Sequence, residues 1–261
     1  MQPWKRIERA AFYSPHLQLV YLRIPKVACS SFKRSIWHAV DHKLGEVTLK
    51  SGVSPHDKAK SPFAKSADEI RSQIDSFVNA SFFTVVRNPY SRLLSAFLDK
   101  VTKKNRDLNV WSVIRKQLSY NDDDYPDFSD FVDRLVKQRP SYLENHFLEQ
   151  NIVICSNHLP VDHLGHMESL GSTSSFLGIF GVPIRNHRSH STGSTSRIKE
   201  FYTRKELDSV QRFFRKDFEL FGYSDDPDIL APTLKPQFEP VSRDNLSDKL
   251  DRLLSQKHDS I

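Results

Sequence analysis

The sequence predicts an α/β domain in which a mostly parallel sheet is covered by helices on both faces. Three observations carry this expectation. Two segments read as strand, short loop and helix in immediate succession, and strand-length apolar runs alternate with helix-period segments along most of the chain. At 261 residues, with 18 Phe, the chain is also long enough and apolar enough to bury a full core.

The first strand falls at Leu17-Gln18-Leu19-Val20-Tyr21-Leu22-Arg23-Ile24, an apolar, β-rich run bounded by Pro15 and Pro25. From Ser30 onward Phe32, Ile36, Trp37 and Val40 recur at helical spacing, with Ser30 or Ser31 as the N-cap. Residues 45 to 68 show no period and read as a surface loop. The second strand, Ser81-Phe82-Phe83-Thr84-Val85-Val86, stops at Arg87-Asn88-Pro89, where Asn88 caps a helix and Pro89 takes its first position. Leu93, Leu94, Phe97, Leu98 and Val101 form the buried stripe of that helix.

The acidic run Asn121 to Asp124 reads as an exposed loop, and Phe128, Phe131, Val132, Leu135 and Val136 describe an amphipathic helix. Ile152-Val153-Ile154 and Val161 to Met167 read as short strands, Phe176 to Phe180 and Lys205 to Phe221 as helices. From Asp225 onward four prolines suggest a weakly packed extension ending in a polar helix, so the expected division is residues 1–224 and 225–261.

Lys and Arg number 38 against 32 Asp and Glu, a mixed surface with a net charge of +6. That excess suits an anionic ligand but does not choose among nucleotide, nucleic acid, acidic lipid and sulfated glycan. The two cysteines, Cys29 and Cys155, sit in no CxxC pair, and His158, His163, His166, His187 and His190 match no common zinc spacing, so no metal is expected. The first 30 residues carry Trp4, Lys5, Arg6, Glu8 and Arg9 without a signal-length apolar run. No apolar run reaches the roughly 18 residues of a membrane span. The expectation is a soluble, cytoplasmic chain in a reducing compartment, without stable membrane insertion.

A strand, loop and helix N-terminus gather backbone N–H groups and the positive end of a helix dipole at one spot, which attracts phosphate or sulfate. Lys26 adds a full charge there. The glycines of GxxxxGK[ST] are missing, which disfavours an ATP triphosphate cradle with its magnesium. At the end of the second strand Arg87 can make a two-pronged phosphate contact, and Ser95, two helical turns on, can add a hydroxyl. A hydroxyl attacking sulfur needs a base near neutrality, and histidine is the natural candidate.

The segment Ile24-Pro25-Lys26-Val27-Ala28-Cys29-Ser30-Ser31-Phe32-Lys33 resembles the 5′-phosphosulfate loop of the carbohydrate sulfotransferases, usually close to PKVGCTNWKR. Val85 to Lys100 resembles that family's 3′-phosphate segment, VRDPFERLLSAYRDK. The departures are Ala28 for Gly and Asn88 for Asp. His146-Phe147-Leu148-Glu149-Gln150 resembles the HWxPQ element, with Phe147 for Trp and Glu149 for Pro, and Val161 to Glu168 resembles YDFIGKME. Arg185 to Thr192 resembles a late segment that closes over the nucleotide, and Phe213 to Tyr223 a terminal YxxDFxxFGY helix.

The resemblance implies a P-loop-NTPase-like sheet and transfer of a sulfuryl group from 3′-phosphoadenosine 5′-phosphosulfate (PAPS) to a carbohydrate or other hydroxyl-bearing acceptor. It implies that Arg23, Pro25, Lys26, Val27, Ala28, Cys29, Ser30, Ser31 and Phe32 surround the 5′ end of the donor. Arg87 and Ser95 would hold its 3′-phosphate, and Lys26 and His146 would be catalytic, without metal or nucleic acid. Animal members usually sit in the Golgi on an N-terminal membrane helix, which places this chain in the Golgi lumen only if it is truncated. Acceptor identity and oligomeric state stay open. Two alternatives also stay open: a kinase-like phosphoryl transferase on the same sheet, and a non-catalytic module binding sulfated glycan or nucleic acid through Lys103, Lys104 and Arg106.

Overall fold

The computed structural model describes residues 3–50, 52–57, 60–64, 66–102, 107–139, 142–184 and 193–255. Helix α1 (Pro3–Ala10) leads straight into β1 (Ala11–Ser14), which pairs antiparallel with β2 (Leu19–Leu22). After α2 (Cys29–Leu44), α3 (Ala67–Arg71) and α4 (Ile74–Asn79) comes β3 (Ser81–Val86), parallel to β2 with Tyr21 opposite Phe83. The chain continues through α5 (Pro89–Lys100), α6 (Leu108–Leu118), α7 (Phe128–Leu135) and α8 (Gln150–Val153) to β4 (His163–His166), parallel to β3. The sheet order is β1-β2-β3-β4. Helices α9 (Gly171–Gly178), α10 (Ile198–Phe201), α11 (Arg204–Phe213), α12 (Arg215–Phe221) and α13 (Leu246–Ser255) complete the fold.

Adjacent residues of β3 show why the sheet is covered on both faces. Phe82 meets Phe77 of α4 on one side, while Phe83 on the other stacks on Tyr21 and approaches Phe32 of α2 and Phe176 of α9. Alternate strand side chains point to opposite faces, so a strand buried at both needs a helix on each. The expected mostly parallel α/β sheet is therefore present, with one antiparallel edge strand, β1, that the sequence reading did not anticipate.

Four expectations are corrected. Residues 152–154 do not form a strand: Gln150–Val153 is helical, because Asp217 accepts hydrogen bonds from the Gln150 and Asn151 amides and so caps that turn. The N-cap of α2 is neither Ser30 nor Ser31 but Ala28, which turns the chain with φ 47° so that the helix begins at Cys29. Residues 205–221 are two helices, broken at Phe214. The C-terminal extension is not weakly packed. Leu246, Leu250 and Leu254 repeat every fourth residue and are each 1% exposed, and α13 lies against α1, α3 and α4. Arg243 adds hydrogen bonds to the carbonyls of Val78 and Ala80 and to Asp162. Among the described residues no helix is long and apolar enough to cross a membrane.

Candidate active site

The loop between β2 and α2 is held from below by buried Ile24, Pro25, Val27 and Phe32. Its backbone is tied to the N-terminal segment, since the Arg23 amide donates to Ala10 O at 2.9 Å and Arg23 Nε to Arg9 O at 3.2 Å. Lys26 and Ala28 both take left-handed conformations, φ 68° and 47°, which few non-glycine residues adopt. These turns deliver the chain to the α2 N-terminus, where Cys29, Ser30 and Ser31 occupy the first turn and are half-buried. The Lys26 ammonium pairs with Asp99 of α5 at 3.0 Å, and Asp99 also meets Lys100 at 3.1 Å. Burial pulls the Lys26 amine below its ordinary range, and the Asp99 carboxylate restores part of the loss. Ser30 Oγ lies 2.8 Å from His56 Nε2, and Lys33 Nζ lies 2.6 Å from His56 Nδ1.

Arg87, at the carboxyl end of β3, is a hub. Its guanidinium donates to Ser91 Oγ (2.9 Å), Lys26 O (3.1 Å), Ser194 Oγ (2.8 Å) and Thr195 Oγ1 (3.1 Å). Gln150 grips its backbone from both sides, accepting from the Arg87 amide at 3.0 Å and donating to the Arg87 carbonyl at 2.9 Å. Asn88 caps α5 as expected, accepting at Oδ1 from the Tyr90 and Ser91 amides. Glu168 accepts from the Asn88 amide (2.9 Å) and the Tyr223 hydroxyl (2.8 Å). Ser95 is buried on α5 one turn beyond Ser91 and is not among the four side-chain partners of Arg87.

His146 sits in a turn ahead of α8, between buried Leu143 and Phe147. Its Nδ1 lies 3.0 and 2.9 Å from the two carboxylate oxygens of Glu144, and its amide donates to the same carboxylate at 2.8 Å. Burial would raise the Glu144 carboxyl, but the hydrogen bonds and charge of His146, with Arg23, outweigh it and hold the group below its ordinary range. Arg92 of α5, 1% exposed, joins the two halves of the site. It donates to Pro25 O (3.2 Å) in the first loop, and to Leu148 O (2.7 Å) and Asn145 O (3.3 Å) on either side of His146. Beside this turn runs a groove lined by Arg6, Arg9, Arg23, Asn145 and Leu148.

The structure thus gathers Arg23 to Phe32, Arg87 and the Arg92-braced His146 turn along one end of the sheet. The sequence reading missed Glu144, Arg92, Ser194, Thr195 and His56. Of these, Arg92 lay inside the segment that resembles the 3′-phosphate motif, Glu144, Ser194 and Thr195 stood within three residues of a recognised one, and only His56 lay in a stretch without a motif. Two of the other histidines have structural partners: His163 stacks on Phe176 at 4.6 Å, and His166 Nε2 lies 2.9 Å from Phe221 O. Among the described residues no three His, Cys, Asp or Glu side chains form a group that could hold a metal ion. Arg185 to Thr192, Lys103, Lys104 and Arg106 lie outside the described residues.

Comparison with known proteins adds a second line of observation. The sequence profile of the sulfotransferase family matches residues 9–224. Carbohydrate sulfotransferase 11 of Rattus norvegicus is 26% identical over 235 residues, which cover 79% of this chain and 65% of the relative. Carbohydrate sulfotransferase 14 of Danio rerio is 26% identical over 228 residues, covering 79% and 60%. Carbohydrate sulfotransferase 10 of Xenopus laevis is 24% identical over 247 residues, covering 82% and 67%. The chain therefore spans about two thirds or less of the length of these relatives. No solved structure matches. The relatives overturn the cytoplasmic location expected above, since they are animal carbohydrate sulfotransferases, the kind of enzyme that the resemblance places in the Golgi lumen.

Proposed function

The chain belongs to the sulfotransferase family, and from that premise we propose that it transfers a sulfuryl group from PAPS to a hydroxyl of a carbohydrate acceptor. The observation that supports this most directly is the 3.1 Å hydrogen bond from Arg87 to Lys26 O. It ties the segment assigned to the 3′-phosphate directly to the loop assigned to the reacting end.

Lys26 neutralises charge on the sulfuryl group and on the leaving phosphate oxygen. Ser30, Ser31 and the first turn of α2 hold the 5′-phosphate, with Arg23 and the 25–32 backbone shaping the cradle. Arg87 and Ser95 hold the 3′-phosphate. Glu144 accepts the Nδ1 proton of His146, which leaves the Nε2 lone pair for the acceptor hydroxyl. His146 takes that proton as the new oxygen–sulfur bond forms and the bond from sulfur to the leaving oxygen breaks. The protein contributes position and charge, as in phosphoryl transfer, and the proposed chemistry uses no metal. We assign catalysis to residues 1–224 and a bracing role to 225–261.

The test is incubation with PAPS and a glycan panel, followed by mass spectrometry for an added sulfate. Lys26→Ala should abolish transfer, and normal transfer by that variant overturns the role given to Lys26. Arg87→Ala should weaken binding of adenosine 3′,5′-bisphosphate by about 10–100-fold, the worth of a hydrogen-bonded charge. Unchanged affinity removes Arg87 from the donor site.

A further inference from the structure

His56 lies in the loop between α2 and α3, in a turn closed by the Asp57 amide donating to Ser54 O. It reaches two side chains of α2 that stand three residues apart and so share a helix face, Ser30 and Lys33. Lys33 is 1% exposed, and its ammonium also lies 4.3 Å from the centre of the Phe12 ring. An ammonium has donors only, so across the 2.6 Å contact His56 Nδ1 must accept. The imidazole then carries its proton on Nε2, and across 2.8 Å that N–H donates to Ser30 Oγ.

From this directionality we propose that Lys33 and His56 form a positioning relay that turns the Ser30 hydroxyl proton toward the 5′-phosphate of the donor. The proposal rests on the reading that Ser30 helps to hold that phosphate. A serine in the first turn of a helix otherwise rotates freely and can bond back to a preceding carbonyl. With one lone pair engaged by His56, Ser30 keeps its proton for an outside acceptor, and an anion at the helix N-terminus is the acceptor the site favours. Burial, then the nearby charges of Lys33 and Arg23, hold the His56 imidazole down at about 4, so it stays neutral and in this tautomer at physiological pH.

The experiment is calorimetric titration of adenosine 3′,5′-bisphosphate into the full chain and four variants. Ser30→Ala should weaken binding by roughly 10-fold, the lower end for a hydrogen bond to a charged group. His56→Ala should weaken it by a similar factor, and adding it to Ser30→Ala should weaken it no further, because the relay acts only through that hydroxyl. His56→Gln, whose amide can still donate to Ser30, should stay within about threefold of the parent. Thermal melts check that each variant folds. The relay is overturned if Ser30→Ala weakens binding while His56→Ala does not, or if His56→Ala weakens it equally in the Ser30→Ala background. If Ser30→Ala alone changes nothing, the assignment of Ser30 to the phosphate fails, and the relay falls with it.

Discussion

Asn88 shows what one substitution does at this site. Its Oδ1 caps α5, but its Nδ2 is buried with no hydrogen-bond partner among the described residues, where an orphaned donor costs about 1–3 kcal/mol that the family's usual Asp does not carry. Ala28 takes its left-handed turn without the freedom of the family's glycine. Glu144 is the residue whose charge matters most to the proposed chemistry. Its folded carboxyl titrates below its ordinary range, so the stability it contributes is complete above the unfolded value of about 4.3 and is lost as pH falls through the lower folded one. Glu144→Gln removes the carboxylate that accepts from His146 Nδ1, so the ring is no longer held with its Nε2 lone pair toward the acceptor. The rate of sulfate transfer should fall by about 10-fold or more while affinity for adenosine 3′,5′-bisphosphate stays unchanged. An unchanged transfer rate would separate Glu144 from the proton transfer.

Helix α5 carries much of the site, and its visible and hidden parts divide instructively. The cap at Asn88 and the stripe Leu93, Leu94, Phe97, Leu98 and Val101 follow from local chemistry, and the structure reproduces them. Arg92 was not legible, because an arginine between apolar helix positions usually faces solvent. Only the tertiary fold shows that three carbonyls from two distant segments converge on it. Residues 152–154 misled for a related reason: three β-branched residues in a row favour a strand, and the decisive group, the buried Asp217 that caps the turn, lies more than 60 residues away. Burial draws the Arg92 guanidinium down to about 10, with Asp217 opposing the shift. Arg92→Met should leave those carbonyls unpaired and cost at least about 3 kcal/mol at roughly 1 kcal/mol or more for each. Urea unfolding of the variant measures this, and a change under 1 kcal/mol would show that water or a local shift replaces the clamp.

Across the whole molecule, the parallel strands decide where the site can be. The loop after β2 provides Lys26, the end of β3 provides Arg87, and the turn after β4 provides Glu168, so all three arrive at the carboxyl edge, where open α/β sheets bind ligands. Two strand-loop-helix units made this edge readable from the sequence. The terminal helix was legible, but the packing of the two ends of the chain was not. Strand β1 has only four residues, too few for a period, and the leucines of α13 are separated by charged residues that made the helix look polar. Their burial is a long-range fact, since α13 covers α1, α3 and α4 and Arg71 meets Asp251 at 2.6 Å. An exposed arginine–aspartate pair contributes little, so the leucines must carry the attachment. Leu250→Ala should destabilise the chain by about 2–4 kcal/mol, a large share of the stability of an ordinary domain. Arg71→Ala should cost under about 1 kcal/mol. Thermal or urea unfolding of the two variants checks the order, and a larger loss from Arg71→Ala than from Leu250→Ala would show that charge rather than apolar burial holds the extension in place.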